Sequence, residues 1–113
     1  MFTFRFSFLF YLVVAQLLIA SIDLYCHLLR GDEETFDKAI SHLMNMLIGR
    51  FPRVRKITAT KLYEALLTLT DISETLEASQ DEILTILSDT NWDEDIESLK
   101  PIRNQLRQLF IPS

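Results

Sequence analysis

The sequence is poor in the residues that form disulfides, bind zinc or interrupt helices. Its 113 residues include one cysteine, two glycines and three prolines. One cysteine cannot form an internal disulfide, and no CxxC or cysteine and histidine cluster is present to bind zinc. We therefore expect a protein of a reducing compartment, without a metal site or a cofactor.

Alternation of apolar and polar residues and hairpin dipeptides are also missing. The chain instead contains long runs rich in Leu, Ile, Glu and Lys, and 49% of its residues are hydrophobic, enough for one small core. This composition is typical of helical proteins and not of sheets. The sequence therefore predicts an all-α domain.

The chain lacks the basic excess of a nucleic-acid-binding protein, because its formal net charge is −5. The charges are unevenly distributed. Residues 50–61 contain five basic residues and no acidic one, whereas residues 71–97 contain ten acidic residues and no basic one. Two interpretations stay open: neighbouring helices complement each other's solvated faces, or the surface steers a partner.

No arrangement of residues indicates catalysis. A nucleophile beside a base, a glycine-rich phosphate loop and a convergent pair of carboxylates are all missing. His27 and His42 fall on different predicted helices, and we expect both at the surface or its boundary. Cys26 is interpreted as a small buried hydrophobic residue, because no base is near it in sequence. We predict that the protein is not an enzyme.

The most complete helical pattern covers residues 51–67. Pro52 suits the first helical position, and Gly49 is expected to end the preceding helix in a left-handed conformation. Tyr63 and Leu67 lie opposite the main apolar face, so we expect neighbours on two sides, as in a HEAT-like α-solenoid of about two helix pairs. The main face consists of Val54, Thr58, Leu62, Ala65 and Leu69.

Four further expectations concern the other helices. Asp32 is a predicted N-cap for a helix that runs to about residue 48. The next helix has two possible starts, Asp71 with Glu74 or Ser79 with Glu82, and the second, giving a helix over 80–89, is preferred. Asn91 with Glu94 is predicted to cap the last helix, and Pro101 to kink or break it near Ser98.

A series of short motifs extends from the central helix to the last part of the chain. They are Phe51-Pro52, Arg55-Lys56, Thr58-Ala59, Tyr63-Glu64, Leu66-Leu67-Thr68, Ile86-Leu87-Ser88-Asp89-Thr90 and Trp92-Asp93. Together they closely resemble the C-terminal end of the tubulin-folding cofactor D family, a HEAT-repeat family of much longer chains. The resemblance covers residues 17–113, which we interpret as one HEAT-like domain, and leaves residues 1–16 as an unrelated hydrophobic segment.

The resemblance implies a function in tubulin folding. Members of this family bind β-tubulin, act after the chaperonin step in αβ-tubulin assembly, and take part in stimulating GTP hydrolysis by tubulin. Their partners include other tubulin cofactors and an Arf-like small GTPase, and they act in the cytoplasm and at the cytoskeleton. For contact with an acidic partner the expected bases are Arg50, Arg53, Lys56 and Lys61.

Arg55 and Trp92 have a different expected role. Arg55 lies at the inner edge of its helix and is expected to form a structural hydrogen bond or ion pair. Trp92 is in register with the apolar residues of the last helix, so we expect it in the core before any role as a binding hot spot.

The N-terminal run over residues 6–22 has no charge and follows Arg5. Three interpretations stay open: a start that replaces upstream helices of the family, a membrane anchor or signal, or a core helix. The corresponding functional alternatives are a truncated relic without independent activity and a small membrane-anchored helical protein. If the segment packs as a helix, its predicted inner face is Phe6, Phe10, Val13, Val14 and Leu17.

Overall fold

The computed structural model describes residues 2–70 and 72–112, with side chains from residue 8 onward. This part of the chain contains no strand and forms five helices, which confirms the all-α prediction. They are α1 (Phe2–Leu28), α2 (Glu33–Leu47), α3 (Pro52–Thr68), α4 (Glu74–Asp89) and α5 (Ile96–Phe110).

Helix α3 is the central element of the fold, because it packs against α1, α2 and α4. Helix α5 packs against α4 and also against α2, so α2 to α5 form a closed ring of four helices, with α1 lying along α2 and α3. The connections 48–51, 69–73 and 90–95 are short, which makes consecutive helices in this ring antiparallel.

The predicted solenoid arrangement is not confirmed. Four helices do follow the N-terminal one, as the two predicted pairs require. Stacked pairs would place α2 against α4 and α3 against α5. Neither contact occurs within the described ranges, where α2 instead contacts α5. The observed arrangement is a four-helix ring with one added helix.

Helix α3 begins as its sequence predicts, with Pro52 in the first turn and Phe51 as N-cap. Val54, Thr58 and Leu62 are buried on its predicted inner face. On the opposite side Tyr63 is half-buried and packs against the core, whereas Leu67 is 58% exposed. The predicted second side is therefore covered at Tyr63 and open at Leu67.

The predicted role of Gly49 is wrong, because its φ lies outside the left-handed region. Helix α2 ends instead in a tightened turn: the N–H groups of Ile48 and Gly49 bond to the carbonyls three residues back, each at 3.3 Å. These bonds satisfy carbonyls at the helix end without a left-handed residue. The Gly49 carbonyl remains available for a side-chain donor.

The helix starts were predicted with mixed success. At α2 the Asp32 cap is confirmed, since its Oδ1 accepts from the Thr35 N–H at 2.8 Å. At α4 the preferred start is wrong: the helix begins at Glu74, where the Ser73 hydroxyl accepts from the Leu76 N–H at 3.1 Å. The earlier start buries Leu76, a gain that the local capping pattern at Ser79 does not include. The alternative cap Asp71 lies outside the described residues.

The predicted cap of the last helix is wrong, and of the two predicted effects of Pro101, a kink or a break, the break does not occur. Asp95 is the N-cap of α5, and it accepts bonds from the Ser98 N–H and hydroxyl at 3.2 and 2.7 Å. Asn91 stabilises the preceding turn by accepting from the Asp93 N–H. The helix continues through Pro101, which is exposed near its start, so the missing hydrogen bond involves a first-turn carbonyl that water can reach. Burial of Leu99, Leu106 and Phe110 holds the two sides together.

Helix α1 continues without interruption across the boundary expected between residues 16 and 17. Its predicted inner face is largely wrong: Val14 is half-buried, but Phe10, Val13 and Leu17 are 63%, 57% and 66% exposed. The Phe6 side chain lies outside the described residues. Because α1 is apolar on both sides, its periodicity cannot select the inner face. Packing of Ile22 into the core selects it instead.

The stretch Phe8–Leu28 of α1 is the one helical segment within the described ranges that is long and apolar enough to cross a membrane. Its mean hydropathy is 2.0, and length and composition alone give this result. The helix is also part of the folded domain, since Ile22 is fully buried and Asp23 pairs with Lys61 of α3 at 3.8 Å.

Arg55 holds together the α2–α3 connection and the α4–α5 connection at one end of the ring. Its Nε donates to the Trp92 carbonyl at 2.7 Å, Nη1 to the Gly49 carbonyl at 2.8 Å, and Nη2 to the Glu94 carbonyl at 3.3 Å. The side chain is only 4% exposed, and no carboxylate among the described residues lies within ion-pair distance of it. The structural role predicted for Arg55 is confirmed, with backbone carbonyls as its partners.

Trp92 is buried as predicted, at 4% exposed. Its Nε1 donates to the Leu87 carbonyl at 3.1 Å, which satisfies the indole and one carbonyl near the end of α4. The same residue therefore places its ring in the core and presents its own carbonyl to Arg55. Its burial excludes direct contact with a partner in this conformation.

We expect Arg55→Met to lower the free energy of unfolding by about 3 kcal/mol, because three charge-assisted bonds are lost and buried carbonyls remain unsatisfied. Urea unfolding followed by circular dichroism measures the change. The matched control is Arg53→Met on the exposed side of the same helix, expected to change stability by no more than about 0.5 kcal/mol. Equal unfolding midpoints for the two variants would contradict the role of Arg55.

The two aspartate caps predict a loss of stability in acid. Hydrogen bonding from the Thr35 backbone N–H lowers the pKa of Asp32, and bonding from the Ser98 hydroxyl lowers the pKa of Asp95. A lowered pKa in the folded state stabilises it above the unfolded value of about 3.9, and this stabilisation disappears as the pH falls through the folded value.

We therefore expect the variant Asp32→Asn, Asp95→Asn to melt below the wild type at neutral pH, with the difference vanishing once the pH falls below the lowered pKa values of the two caps. Asparagine retains the capping geometry, so the comparison isolates the charge. The control Glu33→Gln, Glu74→Gln removes two exposed first-turn charges that make no cap. A difference independent of pH would refute this account.

Candidate interaction surface

The four predicted partner-binding bases are all exposed around α3 and the connection before it. They do not form one continuous patch. Lys56 and Lys61 are five residues apart and therefore point about 140° apart around the helix axis. The four bases separate into two lysines at opposite edges of α3 and two arginines near its N-terminus.

Each lysine already has an acidic partner in the chain. Lys56 Nζ lies 2.6 Å from Asp93 Oδ2 in the α4–α5 connection, and Lys61 Nζ lies 3.8 Å from Asp23 Oδ1 in α1. Three of the four side chains are about half exposed and that of Asp23 is 70% exposed, so these pairs contribute little to stability. They nevertheless lower the positive potential that either lysine presents to another molecule.

Arg50 is held against two aromatic rings. Its guanidinium carbon lies 5.3 Å from the Tyr11 ring centroid and 5.5 Å from that of Phe51. The two rings contact each other edge to face, with centroids 4.4 Å apart. Cation–π attraction fixes the guanidinium at the surface while leaving its N–H donors free to bind carboxylates.

Arg53 lies in the first turn of α3, exposed and three residues after Arg50. No ion pair involving either arginine occurs within the described part of the chain. The positive end of the α3 dipole lies at the same place and adds to their potential. We call Arg50 and Arg53 the arginine pair; it is the part of the predicted site with uncompensated charge.

The uneven charge distribution is only slightly compensated inside the domain. Within the described ranges, Lys56–Asp93 is the one ion pair that joins the basic run to the acidic run. Five exposed acids lie along α4, namely Glu74, Glu77, Asp81, Glu82 and Asp89. Complementary faces within the fold therefore account for a small part of the pattern.

The aromatic support of Arg50 was not predicted. Phe51 is adjacent to Arg50 and could have suggested it, but Tyr11 comes from α1, 39 positions earlier in the chain. Only the packing of α1 against α3 brings the two rings together. A signal in the local sequence could not have located this contact.

The groups with acid, base or metal chemistry are dispersed. His42 stacks on Tyr25 with ring centroids 4.7 Å apart, and His27 is exposed. No group of three His, Cys, Asp or Glu residues among those described could hold a metal ion. Burial, reinforced by the Asp23 carboxylate, raises the pKa of the Cys26 thiol to about 11, so this thiol is protonated at neutral pH.

A groove of about 980 Å³ lies at the end of the ring opposite Arg55. Phe36, Leu69, Ile72 and Phe110 contribute its apolar walls. Its acidic and basic groups, Arg30, Glu33 and Asp37, lie on α2 and the turn that precedes it. The groove therefore offers surface for contact.

No protein-family model matches this chain, and no solved structure matches it. The fold and the surface described above therefore rest on the contacts of this chain itself.

The raised pKa of Cys26 predicts slow alkylation. A pKa shift from 9.0 to about 11 lowers the fraction of thiolate at pH 8 by about 50- to 100-fold. The more basic thiolate is also more nucleophilic, which raises the reaction rate by about tenfold and offsets part of this loss. We expect iodoacetamide to react with the native chain at least about fivefold more slowly than with the chain unfolded in urea. Mass spectrometry measures both rates, and equal rates would contradict the burial of this thiol.

Proposed function

We propose that this chain is a protein-interaction module of the tubulin-folding cofactor D type, acting in the cytoplasm at the microtubule cytoskeleton. Its partner in this proposal is β-tubulin, alone or in αβ-tubulin. One observation carries the proposal: the two groups of motifs on which the resemblance depends, in residues 51–68 and in residues 86–93, contact each other. Arg55 and Lys56 of the first group bond to Trp92 and Asp93 of the second.

This contact gives the motifs a shared structural purpose. Residues 51–68 provide α3, and residues 86–93 provide the end of α4 and the following turn. The guanidinium of Arg55 and the ammonium of Lys56 hold the two segments together across 37 residues. These two contacts hold one end of the ring in its geometry. They support the proposal that this chain is related in fold to the resembled family.

The arginine pair is the proposed contact with tubulin, an acidic partner. Guanidinium groups bind carboxylates with two parallel hydrogen bonds, and Arg50 is held in place by its aromatic neighbours. Lys56 and Lys61 take a secondary part, because each must exchange an internal carboxylate for one of the partner. The exposed acids of α4 orient the approach by repelling an acidic surface.

The expected affinity is low. Two arginines at one end of a small ring contribute a few hundred Å² of contact, below the roughly 800 Å² per partner of a standard interface. Participation of other tubulin cofactors and of an Arf-like small GTPase, and a part in stimulating GTP hydrolysis by tubulin, belong to the same proposal. In each of these roles the chain supplies binding surface, and chemistry is left to the GTPase.

The test is a fluorescence-anisotropy titration of the labelled chain with αβ-tubulin at low and physiological salt. We expect weak saturable binding at low salt that decreases as salt screens the arginine pair. The variant Arg50→Ser, Arg53→Ser should weaken binding at least about tenfold. Circular dichroism of each variant checks that it remains folded.

The matched control is Arg30→Ser, Lys38→Ser, which removes the same charge from exposed positions away from the arginine pair. We expect it to bind almost as the wild type does. Equal weakening of both variants would assign the effect to net charge alone, and an absence of salt-sensitive binding would refute the proposal and leave a folded relic without this activity.

The alternative of a membrane-anchored protein depends on α1 alone. Inserting Phe8–Leu28 across a bilayer would separate this helix from α2 and α3, remove Ile22 from the core and break the Asp23–Lys61 pair. Because the observed fold uses the second half of α1 in its core, the structure favours the interaction module.

A further inference from the structure

Helix α1 carries a second apolar stripe that faces away from the domain. Phe10, Val13, Leu17 and Leu24 are 57–66% exposed, and Ala20 is exposed between them. The opposite side of the same helix supplies the core contacts, including fully buried Ile22. We call the five exposed residues the outer stripe.

The spacing of the outer stripe is that of a helix-pairing surface. Its members follow one another by three, four, three and four residues, which is the a and d pattern of a heptad. Ile22 and Ala15 then occupy the position farthest from the stripe, where they meet α2 and α3. One helix thus presents a core face and an unpartnered coiled-coil seam on opposite sides.

We propose that the outer stripe binds the outer stripe of a second copy of this chain, with the two α1 helices antiparallel. This inference concerns α1 and is independent of the proposed contact with tubulin. The two four-helix rings then lie on opposite sides of the helix pair. Neither ring has to move, because the outer stripe of each copy faces away from the ring of the same copy.

The available area matches such a pair. The outer stripe extends about 21 Å along the helix, and with the flanking Leu9 it exposes on the order of 600 Å² of apolar surface per copy. This value approaches the roughly 800 Å² per partner of a stable interface. A patch of this size is at the upper end of the range for the largest apolar patch on a monomer, and such patches often serve binding.

The sizes of the side chains favour the antiparallel orientation. With Phe10 level with Ala20 of the second copy, Val13 is level with Leu17, so in both of these pairs the larger residue faces a smaller one. A parallel pair would place Phe10 against Phe10 and leave space between two alanines. The antiparallel pair also separates the two Asp23 carboxylates, which flank the stripe near one end, and opposes the two helix dipoles.

A helix fits the stripe better than a bilayer spanned by α1 does. Leu17 and Leu24 lie on the part of α1 that is packed beside the ring, whereas Phe10 lies toward the other end of the helix. A bilayer spanned by α1 would have to surround α2 and α3 to cover both Phe10 and Leu24. A helix laid along the stripe covers all five residues at once.

The test is sedimentation equilibrium of the full chain at micromolar concentrations. We expect twice the 13.2 kDa chain mass for the wild type. Leu17→Glu should weaken self-association at least about tenfold, because it buries two carboxylates at the seam. The variant should still melt cooperatively, since residue 17 is exposed in the single copy.

Leu12→Glu is the matched control, because it makes the same change on the same helix but about 110° away from the stripe. It should leave the dimer mass unchanged. A monomeric wild type, or equal weakening by both substitutions, would overturn the proposal. So would flotation with phosphatidylcholine vesicles by a chain that sediments as a monomer without them, since lipid would then be the occupant.

Crosslinking tests the orientation in a Cys26→Ser background. Chains with Phe10→Cys should crosslink through a short bis-maleimide to chains with Ala20→Cys. Chains with Phe10→Cys should not crosslink to other chains with Phe10→Cys. Efficient crosslinking of Phe10→Cys chains among themselves would show a parallel pair and overturn the antiparallel arrangement.

Discussion

The guanidinium of Arg55 is the interaction on which the arrangement of this domain depends. Two connections meet at one end of the ring, and each leaves carbonyl groups that no helix satisfies. Arg55 donates to three of them, at Gly49, Trp92 and Glu94, from one buried side chain. Because the planar group has fixed donor directions, it sets the distance and angle between α2–α3 and α4–α5.

The surface features follow from this frame. With the end of the ring fixed, the turn before α3 presents Arg50 beside Tyr11 and Phe51, and the turn before α5 brings Asp93 to Lys56. Among the residues that the structure describes, no internal ion pair offsets the charge of the arginine pair, whereas an internal carboxylate partly offsets the charge of each lysine. The outer stripe of α1 is physically separate, since it faces away from the elements that Arg55 connects. The proposed contact with a protein partner and the proposed contact with a second copy therefore use different surfaces.

The sequence predicted the features with strong local signals. The helical class, the Asp32 cap, the Pro52 start and the burial of Trp92 all depend on residues within a turn or two of each other, or on a regular apolar period. The start of α4 and the continuity of α5 were predicted wrongly because burial of Leu76, Leu99 and Leu106 outweighs a local cap pattern and a proline. In the candidate site, the sequence predicted that the four bases are exposed. It did not predict which acidic residues the two lysines pair with.

The sequence by itself determined that this chain forms helices, approximately where they lie, and that Arg55 has a structural role. Only the tertiary structure decided which carbonyls Arg55 binds, that α2 closes a ring with α5, and which side of α1 enters the core. The physical reason is that α1 is apolar on two sides, so its period is compatible with either orientation. The orientation is fixed by contacts with α2 and α3, whose residues are distant in sequence and whose packing no local pattern records.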